Sequence, residues 1–334
     1  MSRGAFGELL GKASHKVARK LQRADNQKHR YDLPSECAGI VRQDMPVLEG
    51  PGSVFDPYVM EADGGYRMYY SDRASGTVMV ATSANGTMWG ERRTALGHSD
   101  DPDAWDAIVN RACVLRRGGY LMWFTEQTRR GSSIGLATSE DGLSFAKAQN
   151  GPVISHAEFP GAEAVMNPCV LEDAGKESLV MWFAAGEQYE PDEIYRAVSH
   201  DGVIWSIDKA APVLSKGSSL YDRAKVGGCD VVELPDGAGY LMFYIGYQNV
   251  DVARICAAWS ADGNGGWKRF SGNPILGPRQ GKWDADAVYK PAAVLEEDSG
   301  EIRLWYNGRS GTEEKIGAAL VKPEAGLLDP AKYR

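Results

Sequence analysis

The 334-residue sequence predicts an all-β protein: a five-bladed β-propeller with an N-terminal amphipathic helix. Three observations predict it. A serine-centred turn recurs at Ser83 ("TSANGTMW"), Ser139 ("TSEDGLSF"), Ser199 ("VSHDGVIW") and Ser260 ("WSADGNGGW"), with spacings of 56, 60 and 61 residues. Five short segments, "YRMYY", "YLMWF", "LVMWF", "YLMFY" and "IRLWY", share an alternation of period two, as half-buried strands do. After residue 36 no long helical period appears. Self-similarity at this interval marks a supersecondary unit that buries its faces against copies of itself.

In chain order, residues 1–36 form a basic helical extension. Phe6, Leu9, Leu10, Ala13, Val17 and Leu21 follow a 3.6-residue period, and Lys12, Lys16, Arg19, Lys20 and Arg23 occupy other faces. Such a helix suits an anionic membrane surface, a protein partner, or the acidic outside of its own propeller. The propeller occupies residues 37–334. "GIVRQDMPVLEG" (Gly39–Gly50) reads as a fourth strand and proline connector standing alone before the first blade. Residues 39–48 are therefore expected to complete blade 5 and close the ring, which removes a sheet edge. Within the blades, Asp-Gly and Asn-Gly turns supply the positive φ that tight hairpins need. Asp141, Asp201 and Asp262 are expected to bond their own turn backbones. From the aromatic closing each turn to the connector proline is seven residues: Phe145 to Pro152, Trp205 to Pro212, Trp267 to Pro274.

The net charge is −8, yet residues 1–30 hold eight Lys/Arg and two Asp/Glu. The body is thus strongly acidic, which argues against nucleic acid as a partner. Five dispersed cysteines without a CxxC pair, and no secretory leader, point to reduced thiols and a cytoplasmic location, with membrane-peripheral contact through residues 1–30 as the alternative. The five histidines show no metal-ligand spacing, and no phosphate-loop or dinucleotide fingerprint occurs, so neither metal nor cofactor is expected.

Chemistry is expected where the innermost strands start, because packing does not dictate identity there. Aligned on the second-strand aromatics, these positions are Asp56, Asn110, Asn167, Asp230 and Lys290. Asp106, Glu163 and Asp286 lie four residues upstream in blades 2, 3 and 5, on the same face of an extended chain. Arg111 joins them, and Trp105, Trp283 and Tyr221 stand close enough in sequence to stack on sugar faces. Paired carboxylates of split pKa are what glycosidic cleavage needs.

"FDPYVMEADGGYRMYYS" resembles the first blade of the five-bladed glycosidase superfamily, which includes arabinanases and xylosidases of glycoside hydrolase family 43, invertases of family 32 and mannoside phosphorylases of family 130. The resemblance covers about residues 39–322. It implies a glycoside hydrolase acting on an oligosaccharide or glycoconjugate, with Asp56 as base or nucleophile, Glu163 ("GAEAVMNP") as general acid and Asp106 in the tuning role. Asn110, Arg111, Asn167, Asp230, Asp286, Lys290, Trp105 and Trp283 would then bind substrate. Two alternatives stay open. One is a phosphorylase or glycosyl transferase in which Lys290 and Arg111 hold an anionic group. The other is a non-catalytic carbohydrate-binding or scaffolding propeller.

Overall fold

In the computed structural model, residues 27–334 are described except 160, 174–175, 188–190 and 210. The predicted helix falls mostly on residues 1–26, outside the described residues. Residues 27–36 are turns ending in a bridge from Glu36 to Leu276, so no helix runs to residue 36. The Arg254 guanidinium donates to the Arg30 carbonyl at 2.8 Å, and the Arg30 side chain pairs with Asp286.

The described residues are all-β, with helix confined to short 3-10 turns. Strand β1 (Ile40–Arg42) comes first and stands apart. Four antiparallel meanders of four strands follow: β2 (Val54–Ala62), β3 (Gly65–Asp72), β4 (Thr77–Ser83) and β5 (Arg92–Leu96); β6 (Ile108–Arg116), β7 (Tyr120–Thr128), β8 (Gly131–Ser139) and β9 (Ala146–Lys147); β10 (Ala164–Asp173), β11 (Ser178–Gly186), β12 (Pro191–Ser199) and β13 (Ser206–Ile207); β14 (Lys225–Glu233), β15 (Tyr240–Asn249), β16 (Val252–Ser260) and β17 (Lys268–Arg269). The last unit holds β18 (Ala287–Glu296), β19 (Glu301–Ser310) and β20 (Glu313–Val321). Its fourth strand is β1, which pairs antiparallel with β20 through Ile40↔Val321, Val41↔Leu320 and Arg42↔Ala319.

Hydrophobic cores lie as slabs between successive units, in cyclic order. Phe124 and Tyr69 join units 1 and 2, Trp123 and Phe183 units 2 and 3, Trp182 and Tyr244 units 3 and 4, Phe243 and Tyr306 units 4 and 5. Trp305 with Met68 returns from unit 5 to unit 1. The repeated aromatic of the second strand explains the repeated turn. Tyr69 donates its hydroxyl to the Gly142 carbonyl of the next unit at 2.6 Å. The indoles of Trp123, Trp182 and Trp305 donate in the same way to Gly202, Gly263 and Gly86, at 2.9, 3.2 and 2.7 Å. A Cβ on Gly86 would come within 2.8 Å of Trp305, so the close approach requires glycine there. Asp141, Asp201 and Asp262 each accept from backbone N–H groups of their own turns, for example Asp141 from Leu143 at 2.7 Å. These turns thus fasten neighbouring units.

The first strands β2, β6, β10, β14 and β18 contact one another in a cycle, β18 returning to β2. Their starting ends therefore converge, and that convergence positions the site.

Candidate active site

Each first strand is broken near its start by a bulge against the second strand. In four units the bulged residue is left-handed: Asp56 (φ 53), Arg111 (φ 51), Asn167 (φ 58) and Lys290 (φ 46). A non-glycine residue in this region costs about 1–3 kcal/mol and is held there by its surroundings, commonly where a side chain must be aimed. The Ser71 hydroxyl accepts the Arg111 N–H at 3.0 Å, and the Thr125 hydroxyl accepts that of Asn167 at 3.1 Å, so each preceding unit pins the kink of the next.

The bulges correct the sequence alignment in two units. The residue equivalent to Asp56 is Arg111, not Asn110, in unit 2. In unit 4 it is Gly228, two residues before Asp230. A Cβ on Gly228 would meet the Asn167 side chain at 2.5–2.7 Å, so this unit gives up its side chain to make room for its neighbour's.

A cavity of about 330 Å³ opens over these bulges, within the size range of small-ligand sites. Every unit contributes to its wall: Asp56 and Arg73, Asn110 and Arg111, Asn167, Tyr247, and finally Tyr289, Arg309 and Glu314. Asp56 is buried, and its Oδ2 faces the Arg111 Nε at 3.3 Å without a hydrogen-bond partner among the described residues. Burial pushes its carboxyl above the ordinary value, opposed by the charges of Arg111 and Lys290 and reinforced by Glu314. Arg111 Nη1 donates to Asn110 Oδ1 at 2.9 Å, and Asn110 Nδ2 to Gln127 at 3.1 Å, which stiffens this wall. Glu314, which lines the same cavity, has both oxygens engaged. The Tyr289 hydroxyl donates to Oε1 and the Arg73 guanidinium to Oε2. Burial, and then the Glu314 charge, hold the Tyr289 phenol well above its ordinary pKa, so it stays protonated.

Of the expected site residues, Asp56, Asn110, Arg111 and Asn167 meet in this wall. Glu163 does not: its side chain is exposed, while its backbone bridges Ser132 and Gly186. Asp106 is buried beside Lys147 of β9. The same arrangement recurs at Asp222 with Arg269 of β17 (2.6 Å) and at Asp284 with Arg42 of β1 (2.9 Å). Asp106 therefore belongs to a set of pins tying the entry of a unit to its fourth strand, signalled by an aromatic-Asp pair at residues 105–106, 221–222 and 283–284. Trp105 and Trp283 are the aromatics of those pairs. Trp105 packs on Phe124, and Trp283 stacks on Tyr306 with ring centroids 5.8 Å apart. Tyr221 packs in the slab between units 3 and 4. These contacts give all three rings a packing role. Asp286 accepts from the Gly311 N–H at 2.7 Å and pairs with Arg30.

Asp230 lies at a second, smaller pocket with Tyr58 and Cys169, accepting from the Ala293 N–H at 2.7 Å. Burial raises the carboxyl pKa of Asp230 as it does that of Asp56, and the charge of Lys290, 2% exposed and outside the wall, partly offsets both. The wall residues absent from the sequence reading are Arg73, Tyr247, Tyr289, Arg309 and Glu314. The signal for Tyr289 was its place immediately before Lys290-Pro291. Among the described residues no cluster of His, Cys, Asp or Glu could hold a metal ion.

No family model and no curated protein matches the chain. Solved structures do. A thermostable family-43 glycoside hydrolase superposes with a TM-score of 0.63 at 18% identity, covering 80% of this chain and 91% of its own. The chain has the fold of the glycosidase propellers. An N-acetylgalactosamine deacetylase from F. plautii, solved with blood group B trisaccharide, gives 0.63 at 16% identity, over 88% and 97%. The beta-1,2-mannobiose phosphorylase from Listeria innocua, solved with beta-1,2-mannobiose, gives 0.61 at 15% identity, over 88% and 94%. Three different reactions on one fold leave the chemistry of this propeller to be argued from its own cavity.

Proposed function

We propose that the five units are the blades of one propeller, and that this protein is a glycoside-active enzyme cleaving a glycosidic bond of an oligosaccharide or glycoconjugate in the cavity over the bulges. The observation that carries the reading is that two of the carboxyl groups lining one cavity, Asp56 and Glu314, sit in opposite settings. Asp56 is a buried carboxyl with raised proton affinity, suited to giving its proton to a leaving oxygen. Glu314 is a hydrogen-bonded carboxylate beside a guanidinium, suited to the basic role. In this reading Asp56 serves as acid, the role first expected of Glu163, and Glu314 takes the basic role first expected of Asp56.

Replacement of Asp56 and Glu314, each by its amide, tests this on a panel of aryl glycosides. Each is expected to lower kcat/KM by about 100-fold or more, while Glu163→Gln stays within a few-fold of the parent. Loss of activity in Glu163→Gln, with Glu314→Gln active, would reverse the assignment. A second reading, phosphorolysis, is favoured by the guanidinium groups of Arg73, Arg111 and Arg309 in the same wall. Turnover that requires inorganic phosphate and releases a sugar 1-phosphate identifies it.

A further inference from the structure

The geometry points to an acidic sugar as the substrate, its carboxylate held by Arg111 and Arg309, and to the Tyr289 hydroxyl as the nucleophile, activated by Glu314. This rests on the reading that the cavity cleaves glycosides, and it names the substrate class and the attacking atom.

The argument begins with what is free to react. A carboxylate nucleophile needs an oxygen with an open lone pair facing the sugar. Glu314 turns Oε1 to the Tyr289 hydroxyl and Oε2 to Arg73. Tyr289 itself lines the wall, and a phenol oxygen that donates its proton to Glu314 keeps its lone pairs for a substrate. A tyrosine can replace the carboxylate nucleophile of a glycosidase. The physical advantage appears when the substrate is an anion. An attacking carboxylate would approach a second negative charge at close range in a site of low dielectric, whereas a neutral phenol does not. Its proton goes to Glu314 only as the bond forms.

The cationic side of the cavity fits the same substrate. Arg111 is half occupied: its Nε faces Asp56 and its Nη1 binds Asn110. Arg309 donates one Nη2 bond to the Asp251 carbonyl at 3.0 Å, and its buried Nε has no hydrogen-bond partner among the described residues. A buried guanidinium donor left without an acceptor costs free energy that a ligand oxygen recovers. The Lys290 charge also acts on Asp56.

The steps balance. In the first, the Tyr289 oxygen bonds to the anomeric carbon and the glycosidic C–O bond breaks. The phenol proton passes to Glu314, and Asp56 gives its proton to the leaving oxygen. In the second, water attacks the anomeric carbon and gives a proton to Asp56. The bond to Tyr289 breaks, and Glu314 returns the proton to the phenol.

The experiment uses the full chain with aryl glycosides of glucuronic, galacturonic and N-acetylneuraminic acids beside their neutral counterparts, with and without inorganic phosphate. At least one acidic glycoside is expected to exceed the neutral ones by about 100-fold in kcat/KM, with the preference falling at least tenfold in Arg309→Gln. A fluorinated acidic glycosyl fluoride is expected to leave a covalent adduct on the Tyr289 peptide by mass spectrometry, absent in Tyr289→Phe. Calorimetry of the parent protein with free glucuronate, N-acetylneuraminate and phosphate covers the case in which a variant fails to fold, and a free acidic sugar is expected to bind. Equal turnover of neutral glycosides, an adduct on Glu314 or Asp56, or binding of phosphate alone would overturn this inference and leave glycoside cleavage standing. No turnover of any glycoside under either phosphate condition would overturn both.

Discussion

At the scale of single residues, the cavity is set by where proline follows the bulge. Asp56-Pro57, Asn167-Pro168 and Lys290-Pro291 share it, and those three positions were legible in the sequence, because a proline lacks the N–H that a bulge leaves unused. Units 2 and 4 carry Ala112 and Cys229 instead, and there spacing alone missed the kink by one and two residues. Glu314 was invisible for another reason. It comes from β20, a third strand, whose alternation gives no hint that its end reaches the axis. A different buried acid provides a pH test. Glu126, 4% exposed and beside Ser133, has its pKa pushed up to about 7 by burial. Its charged form is therefore disfavoured by folding, so its contribution to stability is complete below pH 4.5 and is lost as pH rises through 7. Thermal melts of Glu126→Gln and the parent are expected to diverge in favour of the variant between pH 5 and pH 8, by at most about 3 kcal/mol. A difference independent of pH would show that Glu126 does not titrate in this window.

At the scale of elements, the repeats were the most readable part of the chain, since period-two strands and glycine turns recur in every unit. What the repeat did not disclose was the division of labour among its acids. Asp106 looks like a catalytic carboxylate in sequence, yet it, Asp222 and Asp284 are each matched by a basic residue of their own fourth strand. Removing the acid of such a pin takes a buried carboxylate away from its cation. Asp284→Asn, which removes the charge shared by Arg42 and Arg279 and weakens the Tyr306 bond, is expected to cost about 3–5 kcal/mol of stability. The indole latches are separable from these pins. Trp305→Phe keeps most of the slab but orphans the Gly86 carbonyl, with an expected loss of about 1–3 kcal/mol in denaturant unfolding. Phe243 occupies the same place in unit 4 without a polar atom, so Phe243→Leu is expected to act through packing alone.

At the scale of the whole molecule, the two ends of the described residues lie over the same part of the ring. Ser35 accepts from Gly277 at 2.7 Å and Cys37 donates to Ile275 at 3.0 Å. At the other end Arg334 and Arg269 exchange backbone bonds at 2.9 and 3.0 Å, and the Tyr333 ring packs on Phe270. Both tails therefore clamp units 4 and 5. Deleting residues 1–43 removes β1 and exposes the edge of β20, and is expected to convert a monodisperse protein into one that self-associates by light scattering.

The pairing of β1 with β20 also imposes an order in time. A ribosome releases Ile40–Arg42 long before their partners Ala319–Val321. The earlier segment must wait, without its hydrogen-bonded mate, while the four intervening units are made, and the fifth sheet cannot be completed before β20 has emerged.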